Sequence, residues 1–436
     1  FRLQIRDMII RFDGGIDKKT VKAYNSHTYD EDELNQMAID FSSLIANEAD
    51  PAIKDMHQYF ANQPATAKNE YTGMFKDYNL IMITAEAFSD YAIDEKLTPT
   101  LYKMKTEGFD FKNFYNPLFE VSTSDGEYVN VMGLYPKPGV WSFSRSYGHE
   151  LPFVLARQYQ KMGIETFAYH NHYYDYYDRD QTHTYIWKNY KGLGNGLDVK
   201  DTWPESDLEM IQKTSDEYMQ LDRFHTYFMS VSGHMNYTWI GNTMSSKNYD
   251  AVADLNMSEL SKGYLAAQIE LDKAMEQLLK DLERYDHLDD TLIVIAADHY
   301  PYGLEKENIE ELSGRKIEDD FDLYKSALII YAPSMEKTIG VDTICSSIDI
   351  LPTVSNLLGL EYDSRLFSNQ MPLVVLADGS FMNGEVKYDA QKGSAVFLDK
   401  RISEARLKSL YEKAAKKLEM SALILDKDYY RSLHLK

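Results

Sequence analysis

The sequence predicts an α/β fold, with a mostly parallel central sheet flanked by helices and then a small C-terminal antiparallel sheet plus helix. Three observations point there. Apolar or β-branched runs such as residues 79–84 (NLIMIT) and 291–296 (TLIVIA) alternate with amphipathic helical stretches, as in a sheet covered on both faces. Glu86, His234 and the pair Asp298-His299 stand just past such runs, where open α/β sheets collect their ligands. Beyond residue 372 the pattern becomes apolar-polar alternation broken by Asp378-Gly379, Asn383-Gly384 and Lys392-Gly393, and Asp-Gly and Asn-Gly are strong hairpin signals.

In chain order, residues 1–77 carry helical signals, notably over 30–46, and no convincing strand. A strand at 79–84 is followed by a helix near 99–105, opened by Thr98-Pro99 where the missing proline donor costs little. Then come a short strand at 111–115 (FKNFY), a helix near 152–162, strands at 165–170 and 226–231, a helix over 264–285, and strands at 291–296 and 327–331. The last helix spaces Leu407, Leu410, Tyr411, Ala414 and Leu418 so that one face covers the small sheet. This appendage reads as structural, closing an edge of the main sheet, with Lys416-Lys417 on a solvated face. The expected divisions are a helical segment at 1–77, a catalytic domain at 78–371 and an α+β subdomain at 372–436.

Composition narrows the function. A formal net charge of −23, from 69 acids against 46 bases, opposes attraction to nucleic acid or an anionic lipid surface. An anionic substrate therefore needs local cations, from side chains or a metal. The single cysteine, Cys345, excludes an internal disulfide and reads as a small core residue. No run approaches the roughly twenty apolar residues that span a bilayer. The chain starts at Phe1 with the mixed segment FRLQIRDMIIRF, which suggests a processed piece whose membrane anchor is missing.

Glu86, Asp298, His299 and Thr123 together offer two carboxylates, an imidazole and a hydroxyl to a divalent metal, suiting chemistry on a phosphorus or sulfur ester. Singly, an acid after a strand is a loop residue, and Asp-His is a solvated turn; three strand ends carrying such residues make the grouping informative. Thr123, in Ser122-Thr123-Ser124-Asp125, equally suits a helix N-cap. Both roles are compatible, because a helix N-terminus favours accumulating phosphate charge. A threonine hydroxyl is a weak nucleophile unless a base or metal lowers its pKa. Residues 169–185 (YHNHYYDYYDRDQTHTY) read either as an amphipathic surface loop or as a wall for a polyol or sugar headgroup. Within them Arg179 is either solvated or paired with Asp178 or Asp180, or else a fork for a phosphodiester. His234 is either a loop histidine bonded to backbone or a donor to phosphate oxygen.

In this order the motifs resemble the alkaline phosphatase and sulfatase superfamily, and within it the extracellular domain of lipoteichoic acid synthases. The likeness runs from Asn79 through the C-terminal segment. It is carried by residues 79–86 with Thr98-Pro99, Thr123-Ser124-Asp125, Tyr177-Asp178-Arg179-Asp180, Ser232-Gly233-His234, Asp298-His299-Tyr300, and Asp349-Ile350-Leu351-Pro352-Thr353 leading to Leu358-Gly359. The resemblance implies a sulfatase-like fold in which Glu86, Thr123, Asp298 and His299 bind one divalent metal, manganese typically, with magnesium the alternative. It implies that Thr123 attacks the phosphorus of phosphatidylglycerol, releases diacylglycerol, and passes glycerol phosphate to a glycolipid or a growing polyglycerolphosphate chain. Arg179 and His234 match contacts to phosphate and glycerol, and Tyr177 falls where an aromatic shapes the pocket. A place on the outer face of the cell membrane follows from the same likeness.

Departures fall on the substrate side. Ser122 replaces a common lysine before the nucleophile, Ala297 and Pro301-Tyr302 replace glycines around Asp298-His299, and His172 stands where an acid near the glycerol is common. A sulfatase is the enzymatic alternative, although no Cys or Ser followed by x-Pro-x-Arg lies near Thr123. A phosphoethanolamine transferase usually brings several disulfides, and a catalytically silent envelope-binding protein would be expected to lose the metal ligands.

Overall fold

The computed structural model describes residues 33–367, 372–399 and 401–435. Its main sheet is built from β1 (Asn79–Ala85), β2 (Phe109–Phe111), β4 (Glu165–Tyr173), β5 (Asn189–Leu193), β6 (Gly196–Leu197), β7 (Phe224–Met229), β8 (Thr291–Ala297), β9 (Leu328–Tyr331) and β10 (Ile339–Val341), while β3 (Phe114–Tyr115) pairs with β11 (Cys345–Ser346). The nine strands run in the order β10-β2-β9-β8-β1-β7-β4-β5-β6. All neighbours are parallel except β9, which runs antiparallel to β8 and β2.

The central strands β1, β7 and β8 are buried throughout, so both faces must be apolar. Alternation sorts their side chains. Leu80, Met82, Leu292 and Val294 meet Tyr128, Val131, Tyr159 and Ile350 from helices on one face. Ile81, Ile83, Ile293 and Ile295 meet Met210, Ile211, Ala267 and Leu278 on the other. The longest helix there, Glu259–Arg284, is capped by Ser258 and starts before the expected 264. Gly263 fits inside it because a Cβ would collide with the Tyr237 carbonyl oxygen, so this residue marks close packing rather than a helix boundary.

Several expectations shift. The FKNFY segment is not one strand: its ends belong to different sheets, β2 and β3, separated at Lys112-Asn113. The strand expected at 226–231 ends at Met229, because the Asp207 carboxylate captures the Val231 and Ser232 N–H groups and turns the chain away. Strands β5, β6 and β10 were not anticipated; they are short, contain glycine, and are extended by pairing rather than by propensity. Within residues 33–77 the helices are Phe41–Asn47 and Pro51–Ala61, so of the helix expected at 30–46 only the part from Phe41 is helical, residues 34–40 being non-helical and 30–32 lying outside the described residues.

After residue 372, β12 (Val374–Val375), β13 (Phe381–Met382), β14 (Val386–Asp389) and β15 (Ser394–Phe397) form an antiparallel sheet. Leu410 and Ala414 of the helix Glu404–Lys427 pack on it, whereas Tyr411 is exposed and only edges against Tyr388. The core partners of this unit include Phe119, Val129, Tyr135 and Ile348, in helix and loop segments rather than edge strands of the main sheet. Lys416 pairs with Glu419, but Lys417 is buried and its Nζ makes no hydrogen bond, contrary to a solvated face. Burial pulls its pKa down to about 8 against the opposing Asp349 charge. The helix continues past the small sheet to bury Met420, Ile424 and Leu425, and that path carries Lys417 inside. Cys345 is a buried core thiol, as expected.

Candidate active site

Strand register builds the centre of the site. Ala85 of β1 pairs with Ala297 of β8, so the next residues, Glu86 and Asp298, leave the sheet side by side. His299 follows, and its Nε2 lies 3.3 Å from Asp298 Oδ2 and 3.6 Å from Glu86 Oε1. Thr123 Oγ1 is 3.2 Å from the same nitrogen. Ligand atoms of Glu86, Asp298 and His299 all lie within 4.8 Å of one another, and the residues are buried. The four residues singled out from the sequence as metal ligands therefore converge.

Their hydrogen bonds leave electron-rich atoms facing inward. Asp298 Oδ1 accepts from the Ala87 and His299 N–H groups at 2.9 and 2.7 Å, while buried Oδ2 has no hydrogen-bond partner. His299 Nδ1 donates to the Tyr300 carbonyl at 2.9 Å, which leaves Nε2 as a lone pair able to accept the Thr123 proton or bind a cation. Burial raises the Glu86 pKa well above the usual range, and the adjacent Asp298 carboxylate raises it further. Two carboxylates, an imidazole lone pair and a hydroxyl in a buried cluster match the donor set of a divalent cation.

Thr123 sits in the first turn of the helix Ser122–Met132, with its oxygen at the positive end. The cap differs from expectation: Val121 occupies the cap position, and Asp125 reaches back to accept its N–H at 2.8 Å. Ser122, immediately before Thr123, has φ +33°, a strained value for a residue with a side chain. Along this buried helix Thr123, Gly126, Glu127 and Asn130 recur at helical spacing, a polar stripe that sequence reading missed although its period was visible. Asn130 donates to the Ala297 carbonyl at 3.0 Å and ties the helix to the end of β8. A Cβ at Gly126 would collide with the Asp298 carbonyl oxygen, and one at Gly233 with that of Glu86. Gly126→Ala is expected to push the helix off the strand end and lower turnover by about 100-fold or more with the circular dichroism spectrum retained. Wild-type turnover in that variant would show that the close approach is dispensable.

Glu127 organises the adjoining side of the site. Its carboxylate meets Arg179 Nε at 3.1 Å and Nη2 at 2.9 Å, and accepts from His183 Nε2 at 2.9 Å and Tyr227 at 3.0 Å. Burial alone would raise its pKa, but the Arg179 and His183 contacts overcome that and hold it far below the carboxylate range. Arg179 is itself 1% exposed and pairs with neither Asp178 nor Asp180. Its Nη1 also reaches His170 Nε2 at 3.3 Å and the Tyr176 carbonyl at 3.1 Å. Nη2 is near Glu127 but makes no well-directed bond, so the full guanidinium fork is not free.

The other predicted residues border the same space. His234 Nδ1 donates to the Met235 carbonyl at 2.7 Å, and its ring, 4.6 Å from Trp203, lies within the fields of Asp298 and His172. His172 Nδ1 pairs with buried Glu205 at 2.8 Å. Tyr177 lies 5.4 Å from the Arg179 guanidinium. The tyrosine-rich segment supplies the end of β4 and the helix Arg179–Ile186, with Tyr174 stacked on Tyr190 and Tyr176 exposed, so it is both element and rim. Asp207 and Trp203, which no motif flagged, support these loops.

Comparison with known proteins bears on the family and the fold. Lipoteichoic acid synthase of Staphylococcus aureus is 26% identical across 85% of this chain, which spans 61% of that protein's length. The solved lipoteichoic acid synthase of Listeria monocytogenes has the same fold, with a TM-score of 0.71 at 21% identity, covering 86% of this chain and 97% of that one. A Streptococcus pyogenes phosphoglycerol transferase, solved with sn-glycerol-1-phosphate, gives a TM-score of 0.52 at 12% identity over 91% and 99% of the two chains. The sulfatase family model matches residues 78–360, well over half of the sequence and all of the site described above, and the chain belongs to the sulfatase family.

Proposed function

We propose that this chain is the catalytic domain of a glycerophosphotransferase that moves glycerol phosphate from a phosphatidylglycerol-type lipid to a glycolipid or a growing polyglycerolphosphate chain. The observation that carries this reading is the Thr123 hydroxyl, 3.2 Å from His299 Nε2, at a helix N-terminus inside a cation-ready cluster. Similarity to lipoteichoic acid synthases supports this substrate class. Thr123 Oγ forms a bond to phosphorus as the bond to the diacylglycerol oxygen breaks, and diacylglycerol leaves with a proton. An acceptor hydroxyl then attacks the glycerophospho-threonine, and Thr123 recovers its proton. Arg179 and His234 orient the phosphate and glycerol, with His172 and Tyr177 lining the headgroup side.

Glu86, Thr123, Asp298 and His299 would hold one divalent ion, manganese or alternatively magnesium. Such an ion lowers the pKa of the threonine hydroxyl and offsets the charge of the phosphodiester. No helix among the described residues is long and apolar enough to cross a membrane, and the chain covers only part of its relatives' length. A place on the outer membrane face accords with a lipid donor.

Chelation is expected to abolish turnover of a fluorescent phosphatidylglycerol, and manganese to restore it. Manganese at a hundred times its Kd should also stabilise the fold by about 2.7 kcal/mol, and Glu86→Gln should remove most of that gain. Turnover and melting temperature both indifferent to the ion would sink the metal assignment. Mass spectrometry after incubation with phosphatidylglycerol tests nucleophile and donor together through a glycerophosphate adduct on Thr123.

A further inference from the structure

An unbroken series of ring contacts rims the site. Trp141 edges onto Tyr177 at 5.4 Å, Tyr177 onto Tyr176 at 4.5 Å, Tyr176 onto His172 at 5.2 Å and His172 onto Trp203 at 5.3 Å. Trp141, Tyr176 and Trp203 are 48%, 49% and 39% exposed. Next to Trp203 a loop carries Ile240 at its tip, 92% exposed, the most exposed of the large apolar side chains among the described residues.

This loop is braced rather than loose. The Thr243 N–H donates to the Trp203 carbonyl at 2.8 Å, and Asn242 Nδ2 bonds the His234 and Asn236 carbonyls at 2.9 and 3.0 Å. Thr238 Oγ1 donates to the Ile240 carbonyl at 2.7 Å, and Trp239 Nε1 donates to Glu259 at 2.7 Å. Those bonds hold an isoleucine in water, where it gains nothing for folding. Amphipathic rings at half exposure with an aliphatic tip beyond them are the chemistry of a membrane interface.

We infer that the Ile240 loop and the Trp141-to-Trp203 rim form a surface that enters the headgroup layer of a lipid bilayer and seats the site over its lipid donor. The inference rests on the lipid-donor reading of the same site. A net charge of −23 excludes attraction to anionic headgroups as the driving force, so the contact must be apolar. A soluble glycan would use the ring faces but has no use for Ile240.

The test uses vesicles of phosphatidylglycerol and phosphatidylcholine that contain dibrominated acyl chains. Trp203 and Trp239 fluorescence should be quenched, and Ile240→Asp should abolish the quenching. That variant should lose about tenfold in turnover of vesicular phosphatidylglycerol while keeping wild-type turnover of a short-chain phosphatidylglycerol below its micelle concentration. Absence of quenching in the wild-type protein, or equal loss on both substrates, overturns the inference. So does fluorescence that responds to soluble polyglycerolphosphate and not to vesicles. Quenching abolished by Ile240→Asp with no turnover of either substrate by wild type would uphold the surface and sink the functional reading instead.

Discussion

Thr123→Ala is expected to lower turnover of phosphatidylglycerol by about 10⁴-fold or more and to eliminate the covalent glycerophosphate adduct. The fold should be little disturbed. Among the described residues the side chain bonds only His299, and its loss costs on the order of 1 kcal/mol, because His299 keeps its Nδ1 bond to the Tyr300 carbonyl. Thr123→Ser, which keeps the hydroxyl and loses a methyl group, should retain measurable turnover. Unchanged turnover by the alanine variant would remove Thr123 from the chemistry, whereas a collapse in melting temperature would make the residue structural.

Glu127→Leu carries the largest expected effect on stability. The Glu127 carboxylate is 0% exposed and balances the buried Arg179 guanidinium, so removing it leaves an uncompensated cation and should cost about 3–5 kcal/mol. His183 and Tyr227 lose their shared acceptor as well. The pH dependence follows from the direction of the Glu127 shift. A carboxyl held below its unfolded value adds stability that is complete above the ordinary glutamate range and is lost as pH falls toward the depressed folded value. Chemical denaturation of wild type and variant should therefore differ most near neutrality and converge in strong acid. A difference that stays constant or grows on acidification would contradict the ion-pair account.

Both predictions concern one helix, and it shows what the sequence could and could not reveal. Fully buried strands are apolar for reasons that a one-dimensional pattern preserves, so β1, β8 and β9 were legible, and with them Glu86 and Asp298-His299 just beyond. The metal-type residues were legible because backbone pairing alone aligns the ends of adjacent parallel strands. Glu127 was not, although it lies four residues after Thr123, because a glutamate on a helix is ordinarily solvated and only the path of residues 170–183 shows that an arginine and a histidine enclose it. Of the alternatives open for Arg179, pairing with Asp178 or Asp180 is excluded for the same reason: nearness in sequence is outweighed by a partner 52 positions away. Strands β5, β6 and β10 lacked any local preference that a periodicity could report.

The pairing of Ala85 with Ala297 reaches beyond the site. Carboxylates launched from neighbouring rungs of the innermost ladder cannot separate unless that ladder opens, and its amides should be among the last to exchange with deuterium. On the metal reading proposed above, an ion would meet carboxylates that the ladder has already placed, so its arrival would cost the chain little ordering and its release would leave the sheet standing.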